Sequence, residues 1–227
     1  MAGAVQHGSP GEWARVNGTV FSLWPLFLCF ALLGAFGAAL LIGNHPGIFA
    51  GLFVASFIFA AVLWRRGLRR VESYFKGARG EERVARLLAN LPEDCHVFHD
   101  FESGRYHVDH VVVCPAGVFS IETKNWRGAV TVEEGHVLVD GRLPSRSPLS
   151  QAVKEADAVA ARLKNAGWTG TITPVVCFAS NSFDAGRGQV GSVYLLNSSE
   201  IIKWIADHPA VLSADDLVRL VRLMDAR

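Results

Sequence analysis

Residues 20–42 contain no charged side chain, and that stretch limits the folds open to the chain more than any other feature. At about 1.5 Å of rise per residue, a helix of this length reaches across a hydrocarbon layer of roughly 30 Å. Pro25 stands near its start, where a helix tolerates proline. A second uncharged run, residues 47–64, is rich in Phe and close to the lower limit for a span. Only Gly43-Asn44-His45-Pro46 separates the two, so an antiparallel pair of membrane-spanning helices is expected. Neither run has a polar face, which argues against a pair of soluble core helices. A secretory leader is a poor match, because residues 1–19 carry one Arg and one Glu and the apolar stretch is too long.

The flanks give an orientation. Arg65, Arg66, Arg69 and Arg70 follow the second run directly, with Lys76 and Arg79 beyond, whereas the short connection has no Lys or Arg. The positive-inside rule then puts both the N-terminal tail (1–19) and everything after the basic linker (65–76) in the cytoplasm, in a multi-pass protein of the cell membrane. Anionic head groups are a sufficient reason for the arginines, so they do not count as nucleic-acid contacts. The formal net charge of +1 alone says nothing about nucleic acid, so any basic surface must come from local placement. Cys29, Cys95, Cys114 and Cys177 form no CxxC pair and read as buried free thiols in a reducing compartment.

From residue 77 to 227 the pattern is that of an α/β domain. Residues 80–91 have helical spacing at Val84, Leu87, Leu88 and Leu91, with Pro92 as the stop. Strands are expected at 95–101, 107–114 and 118–124, then a hairpin of 128–132 and 136–139 around Glu134-Gly135. A helix over 148–166 turns Leu149, Ala152, Ala156, Val159, Ala160 and Leu163 inward, with Gly167 at its end. Strands at 173–179 and 192–196 and helices at 199–206 and 214–224 complete the chain, with Ser198 or Ser199 and Ser213 as N-caps. That order implies a mixed sheet flanked by helices.

Three charged residues stand where apolar ones are expected. Asp109 interrupts a valine strand, and Glu122 and Lys124 close the run Val118-Phe119-Ser120-Ile121. Two apart on a strand, Glu122 and Lys124 share a face. If Pro115-Ala116 turns the chain so that Val113 opposes Val118, Asp109 lies opposite Glu122, about 5 Å apart at Cβ. Two carboxylates so close repel unless a cation lies between them, and Mg²⁺ is the natural filler. Lys124 beside them can orient water or steady phosphoryl charge. Such a site suits phosphodiester hydrolysis. A structural ion pair would leave the same short D…ExK pattern, and the surroundings separate the two.

Those surroundings are Gly77-Ala78-Arg79-Gly80-Glu81, the strand from His107 to Val113, Pro115-Ala116-Gly117-Val118, Ile121-Glu122-Thr123-Lys124-Asn125-Trp126 with Gly128, and Ser147-Pro148-Leu149 leading to Gln151. In this order they resemble the nuclease-related domain, NERD, of the PD-(D/E)xK nuclease superfamily. The resemblance implies a restriction-endonuclease-like mixed sheet and a metal-dependent DNA endonuclease using Mg²⁺, or Mn²⁺ in its place. It further implies Asp109 and Glu122 as metal ligands, Glu81 reaching the same metal, Lys124 positioning water, and Gln151 hydrogen-bonding near the scissile phosphate. Glu82, about 100° around the helix, is expected to be solvated. The partners implied are nucleic acid, DNA first, and the lipid membrane. The alternative is a catalytically inactive module of this fold that recruits nucleic acid or a protein to the membrane. His96/His99 and His107/His110 do not make a zinc site, since a spacing of three on a strand splits the rings between faces. His110, next to Asp109, could support the site from behind. Trp126 is expected in the core, and Gly186-Arg187-Gly188 in a loop.

Overall fold

Alternation along the strands sets the layers. Val111, Val113 and Val118 turn to one face, Val112, Phe119 and Ile121 to the other, and all are buried. A sheet covered on both sides requires that pattern. The computed structural model describes residues 3–42 and 46–226. They divide into two units, residues 1–12 with 77–227 and residues 13–76.

In the first unit the strands are, in chain order, β1 (Val5–His7), β2 (His96–Ser103), β3 (Tyr106–Cys114), β4 (Gly117–Lys124), β5 (Val130–Glu133), β6 (His136–Val139), β7 (Ile172–Phe178), β8 (Arg187–Val190) and β9 (Val193–Asn197). Seven of them form a mixed sheet in the order β1-β2-β3-β4-β7-β9-β8, and β5 with β6 forms a separate hairpin. β2, β3 and β4 are antiparallel neighbours, whereas β4, β7 and β9 run parallel. Helices α3 (Pro148–Asn165) and α5 (Ala214–Asp225) bury Val159, Leu163, Leu217 and Leu220 against one face. The last turns of α2 (Pro46–Leu88), with Val84 and Leu88, and α4 (Ile201–Ala206) cover the other. The β5–β6 turn places Glu134 and Gly135 both at positive φ, the two-residue geometry that matches strand twist.

Several expectations change. β1 takes residues of the expected tail into the sheet, parallel to β2. The basic linker 65–76 continues the second apolar helix within α2, a continuation the sequence left open. Arg187 and Gly188 belong to strand β8 rather than to a loop. Helix α4 is capped at Glu200 with no side-chain bond, so neither Ser198 nor Ser199 caps it, whereas Ser213 and Asp216 form a reciprocal capping box. Gly167, at φ +85, follows the last residues of α3 in the left-handed conformation that glycine accepts without penalty.

In the second unit, among the described residues, one helix is long and apolar enough to cross a membrane, over Glu12–Ala39 of α1 (Glu12–Ile42). The apolar helix Gly47–Leu63 within α2 is shorter. Large apolar side chains point outward here: Phe27 is 70% exposed, Phe30 69% and Phe57 65%. Phe21 stacks on Tyr74 at 5.6 Å between ring centres, and Trp13 meets the same ring edge-on at 6.2 Å. The connection at Gly43, Asn44 and His45, and the side chains of Arg66, Arg69 and Arg70, lie outside the described residues.

Candidate functional site

The β3–β4 register is the one that the Pro115-Ala116 turn implies: Cys114 pairs with Gly117, Val113 with Val118 and His110 with Ile121. One step further would pair Asp109 with Glu122, and there the ladder opens. The Asp109 carboxylate accepts the Thr123 N–H at 2.7 Å through Oδ2. On the other side of β3 the ladder skips the same position: His99 pairs with His110 and Phe101 with Val108, while Asp100 between them sits at φ +50. Asp is among the few residues that adopt this left-handed conformation at modest cost. Asp109 thus occupies a local opening in an otherwise continuous sheet.

Glu122 and Lys124 share the face covered by α3. Glu122 is 4% exposed; its Oε1 pairs with Lys124 Nζ, and its buried Oε2 has no hydrogen-bond partner. Lys124 Nζ also donates to Gln151 Oε1 at 2.9 Å. Gln151 opens α3, whose start is set by Ser147 accepting from the Ser150 N–H, with Pro148 in the first turn. One turn on, Gln151 Nε2 donates to Glu155 Oε1 at 2.9 Å. Glu155 is 3% exposed and its Oε2 is another buried oxygen without a partner.

Glu81 arrives from the opposite helix. Gly80 makes the approach possible, since a Cβ there would lie 2.7 Å from the Asn125 Cβ just past β4. Glu81 is buried, and its charge acts on Asp109. Glu82 is partly buried rather than solvated.

The electrostatics follow from one lysine among four acids. Burial, then the charges of Glu122, Glu81 and Glu155, push the Asp109 carboxyl well above the usual carboxylate range, against the Thr123 hydrogen bond. Burial pushes Glu155 up to about 9, and contact with Glu122 adds to the shift. Burial opposes the charge on Lys124, but Glu122, Asp109 and Glu155 outweigh it and raise its pKa. Acidic groups therefore outnumber the one cation, two of them held toward their protonated forms, and buried carboxylate oxygens are left unsatisfied. Hard oxygen donors in this state suit a divalent cation. Among the described residues, no group of three or more His, Cys, Asp and Glu is already gathered as a metal cage. Instead the Lys124 ammonium occupies one Glu122 oxygen.

The structure thus brings Asp109, Glu122, Lys124 and Gln151 together, with Glu81 close enough to be felt. The residue that sequence reasoning passed over is Glu155. Its signal was present, since it lies three residues after Ala152 and one before Ala156 on the inward side of the helix, four after Gln151. The histidines pair differently. His110 turns away from Asp109 and meets His99 across the strands at 2.8 Å, while His7 meets His96 at 3.1 Å. Trp126 packs on Phe178, as expected of a core residue.

Residues 76–179 match the nuclease-related domain family, NERD. An uncharacterized protein of Bacillus anthracis is 40% identical over 60 residues, which cover 24% of this chain and 28% of that protein. The match thus spans under a third of that relative's length. No solved structure matches the chain.

Proposed function

We propose that this chain, which carries a nuclease-related domain over residues 76–179, is a membrane-anchored, divalent-metal-dependent phosphodiester hydrolase acting on DNA. The observation that carries the reading is the cluster of half-buried Asp109 with buried Glu81, Glu122 and Glu155 around a single lysine, with Glu122 Oε2 and Glu155 Oε2 unpartnered. In this reading Asp109 and Glu122 hold the ion, Mg²⁺ or Mn²⁺, and Glu81 completes the set from α2. When bound, such an ion polarises the phosphoryl oxygen and acidifies a water. Lys124 is held between Glu122 and Gln151, so its ammonium is aimed at the same point and steadies negative charge building on the phosphate. Gln151 keeps Lys124 in place with one end of its amide and holds Glu155 with the other. Glu155 stores a proton beside Glu122 while the site is empty of cations, which keeps four like charges from meeting in a dry pocket.

The membrane part rests on connectivity as well as hydropathy. The chain leaves the first unit after Glu12 and re-enters it at Gly77, and Gly11 packs against Ala78, where an added Cβ would lie 3.0 Å from its Cα. Exit and return are side by side, so an excursion across a bilayer has to go out and back. Residues 20–42 and 47–64 form that hairpin in this reading, with exposed Phe27, Phe30 and Phe57 against lipid. The arginines after the second run support a cytoplasmic side for the domain.

The test uses the full chain in detergent, since β1 belongs to the sheet. Plasmid, linear duplex and single-stranded DNA, and RNA, are incubated with Mg²⁺, Mn²⁺ or EDTA. Cleavage that needs the metal and is lost by roughly 10²–10³-fold in Asp109→Ala is expected. Absence of cleavage of every substrate, or cleavage that survives EDTA and Asp109→Ala, overturns the reading. Metal-independent binding without cleavage would leave a recruiting module instead.

A further inference from the structure

Cys95 and Cys114 lie where β2 begins and β3 ends, five residues along β3 from Asp109. The β2–β3 register pairs His96 with Val113, and the next step sets Cys95 directly opposite Cys114. The backbone of Cys95 is engaged elsewhere: its N–H donates to the Pro92 carbonyl at 3.0 Å, and its carbonyl accepts the Val5 N–H at 2.9 Å. Neither group points at β3, so the two cysteines form a non-hydrogen-bonded cross-strand pair. In such pairs the Cα atoms are about 4.5 Å apart and the side chains approach most closely. A disulfide bridges Cα separations of about 4.4–6.8 Å, so the backbone is already spaced for one. The Cys95 S–H donates to Asp94 Oδ1 at 3.7 Å, and each of the two cysteines shifts the ionisation of the other. The N–H groups of Ala116, in the turn after β3, and of Gly117, which opens β4, favour the Cys114 thiolate. Both side chains are buried in one apolar cluster, with Val97, Val112 and Phe119. Hydrogen bonding to Cys114 holds its thiol below the ordinary range against the effect of burial, whereas Cys95 is held above it.

We infer that Cys95 and Cys114 are an oxidisable dithiol that a peroxide closes to an intramolecular disulfide. The Cys114 thiolate attacks one oxygen of the peroxide, the O–O bond breaks, and a sulfenic acid forms while the released hydroxide takes a proton to become water. The Cys95 sulfur then attacks the sulfenic sulfur, the S–S bond forms, and the second oxygen leaves as water with the Cys95 proton. Two thiols and one hydrogen peroxide give one disulfide and two waters; the sulfurs are oxidised and the peroxide oxygens reduced. The bridge ties the start of β2 to the end of β3 and adds a covalent clamp to the strand that carries Asp109. Cys177, buried within β7 with a thiol pushed up by burial, serves as an internal control.

The experiment exposes the full chain in detergent to hydrogen peroxide, with glutathione added as a tracer of effective oxidant, then denatures, alkylates and digests it. The expected result is a peptide linking Cys95 to Cys114, a chain mass lower by about 2 Da, and reversal by a reducing agent. Cys177 stays alkylatable. Cys95→Ser is expected to give no linked peptide and to leave oxygen adducts on Cys114. No linked peptide in the wild-type chain while the glutathione is oxidised overturns the inference, as does a wild-type Cys114 carrying oxygen without a bridge. Because the wild-type chain decides the outcome, poor folding of the variant does not rescue the idea.

Discussion

The two units solve opposite solvation problems with the same kinds of side chain. In residues 13–76 large aromatic groups face outward, and Phe27, Phe30 and Phe57 are more than half exposed. In the other unit Phe119 and Phe178 are fully buried, and the anomaly is charge: Glu81, Glu122 and Glu155 lie inside. Apolar surface left in contact with water costs about 25 cal/mol per Å², and the proposed lipid surround would relieve that cost in the first arrangement. A carboxylate stripped of water costs several kcal/mol, so the second asks for a cation or a proton. Each unit departs from the ordinary inside–outside rule in the direction that its partner medium would repay.

The sharpest way to break this contrast is to put charge on the outward face of α1. Phe27→Asp combined with Phe30→Asp places two acids in the span, at about 2.5–3.5 kcal/mol each. Loss of the chain from the membrane pellet after alkaline carbonate washing is expected, with the domain still folded by circular dichroism. Full retention would show that the outward aromatics do not face lipid. Next in size is Lys124→Met, which keeps the stem and removes the charge. A drop in DNA cleavage of roughly 10²–10⁴-fold is expected, measured on plasmid at saturating Mg²⁺. If activity is unchanged, the lysine is only neutralising its neighbours.

Smaller effects test how tightly the acids are held. Gly80→Ala pushes a Cβ against Asn125 and should cost about 1–3 kcal/mol in denaturant unfolding. A wild-type midpoint would mean the helix can back away from β4 freely. The last test is a slope with pH in EDTA. Glu155 has its folded-state pKa raised from 4.5 to about 9, so the folded state holds a proton that the unfolded state releases. Stability from this group is fully present below pH 4.5 and is lost as pH rises to about 9. Asp109 is shifted in the same direction. The melting temperature in EDTA should therefore fall over that window, and Mg²⁺ should flatten the fall by favouring the charged carboxylates. A melting temperature that rises with pH in EDTA would contradict the buried-acid picture. Glu155→Gln should remove most of the slope.

Much of this was legible in the chain. The β3–β4 pairing followed from a four-residue connection from Cys114 to Gly117, which sets Val113 opposite Val118 and lets Asp109, Glu122 and Lys124 be aligned on it. The spacing from Ser147 to Gln151 marked the start of α3 for the same reason, because capping is local. Glu155 was harder to see. It sits between Lys154 and Ala156, with Asp157 next, in a stretch that reads as an ordinary charged helix edge. β1 was harder still: Val5-Gln6-His7 has no periodicity of its own, and only pairing with His96, Val97 and Phe98 makes it a strand. The cysteines looked like isolated thiols because Cys95 and Cys114 are nineteen positions apart, and only the β2–β3 register brings them face to face.

The amino-acid sequence by itself determined the two uncharged apolar runs, the periodicities of the main helices and strands, and, given a connection from Cys114 to Gly117, the β3–β4 register. Those properties depend on neighbours within a turn or a hairpin, where rise per residue and side-chain alternation are set by backbone geometry. The tertiary structure alone decided that Glu155 joins the acid cluster, that residues before α1 complete the sheet, and that two thiols distant in sequence face each other across β2 and β3. Burial, desolvation and contact between separate elements depend on which far-apart segments come together, and no local period records that.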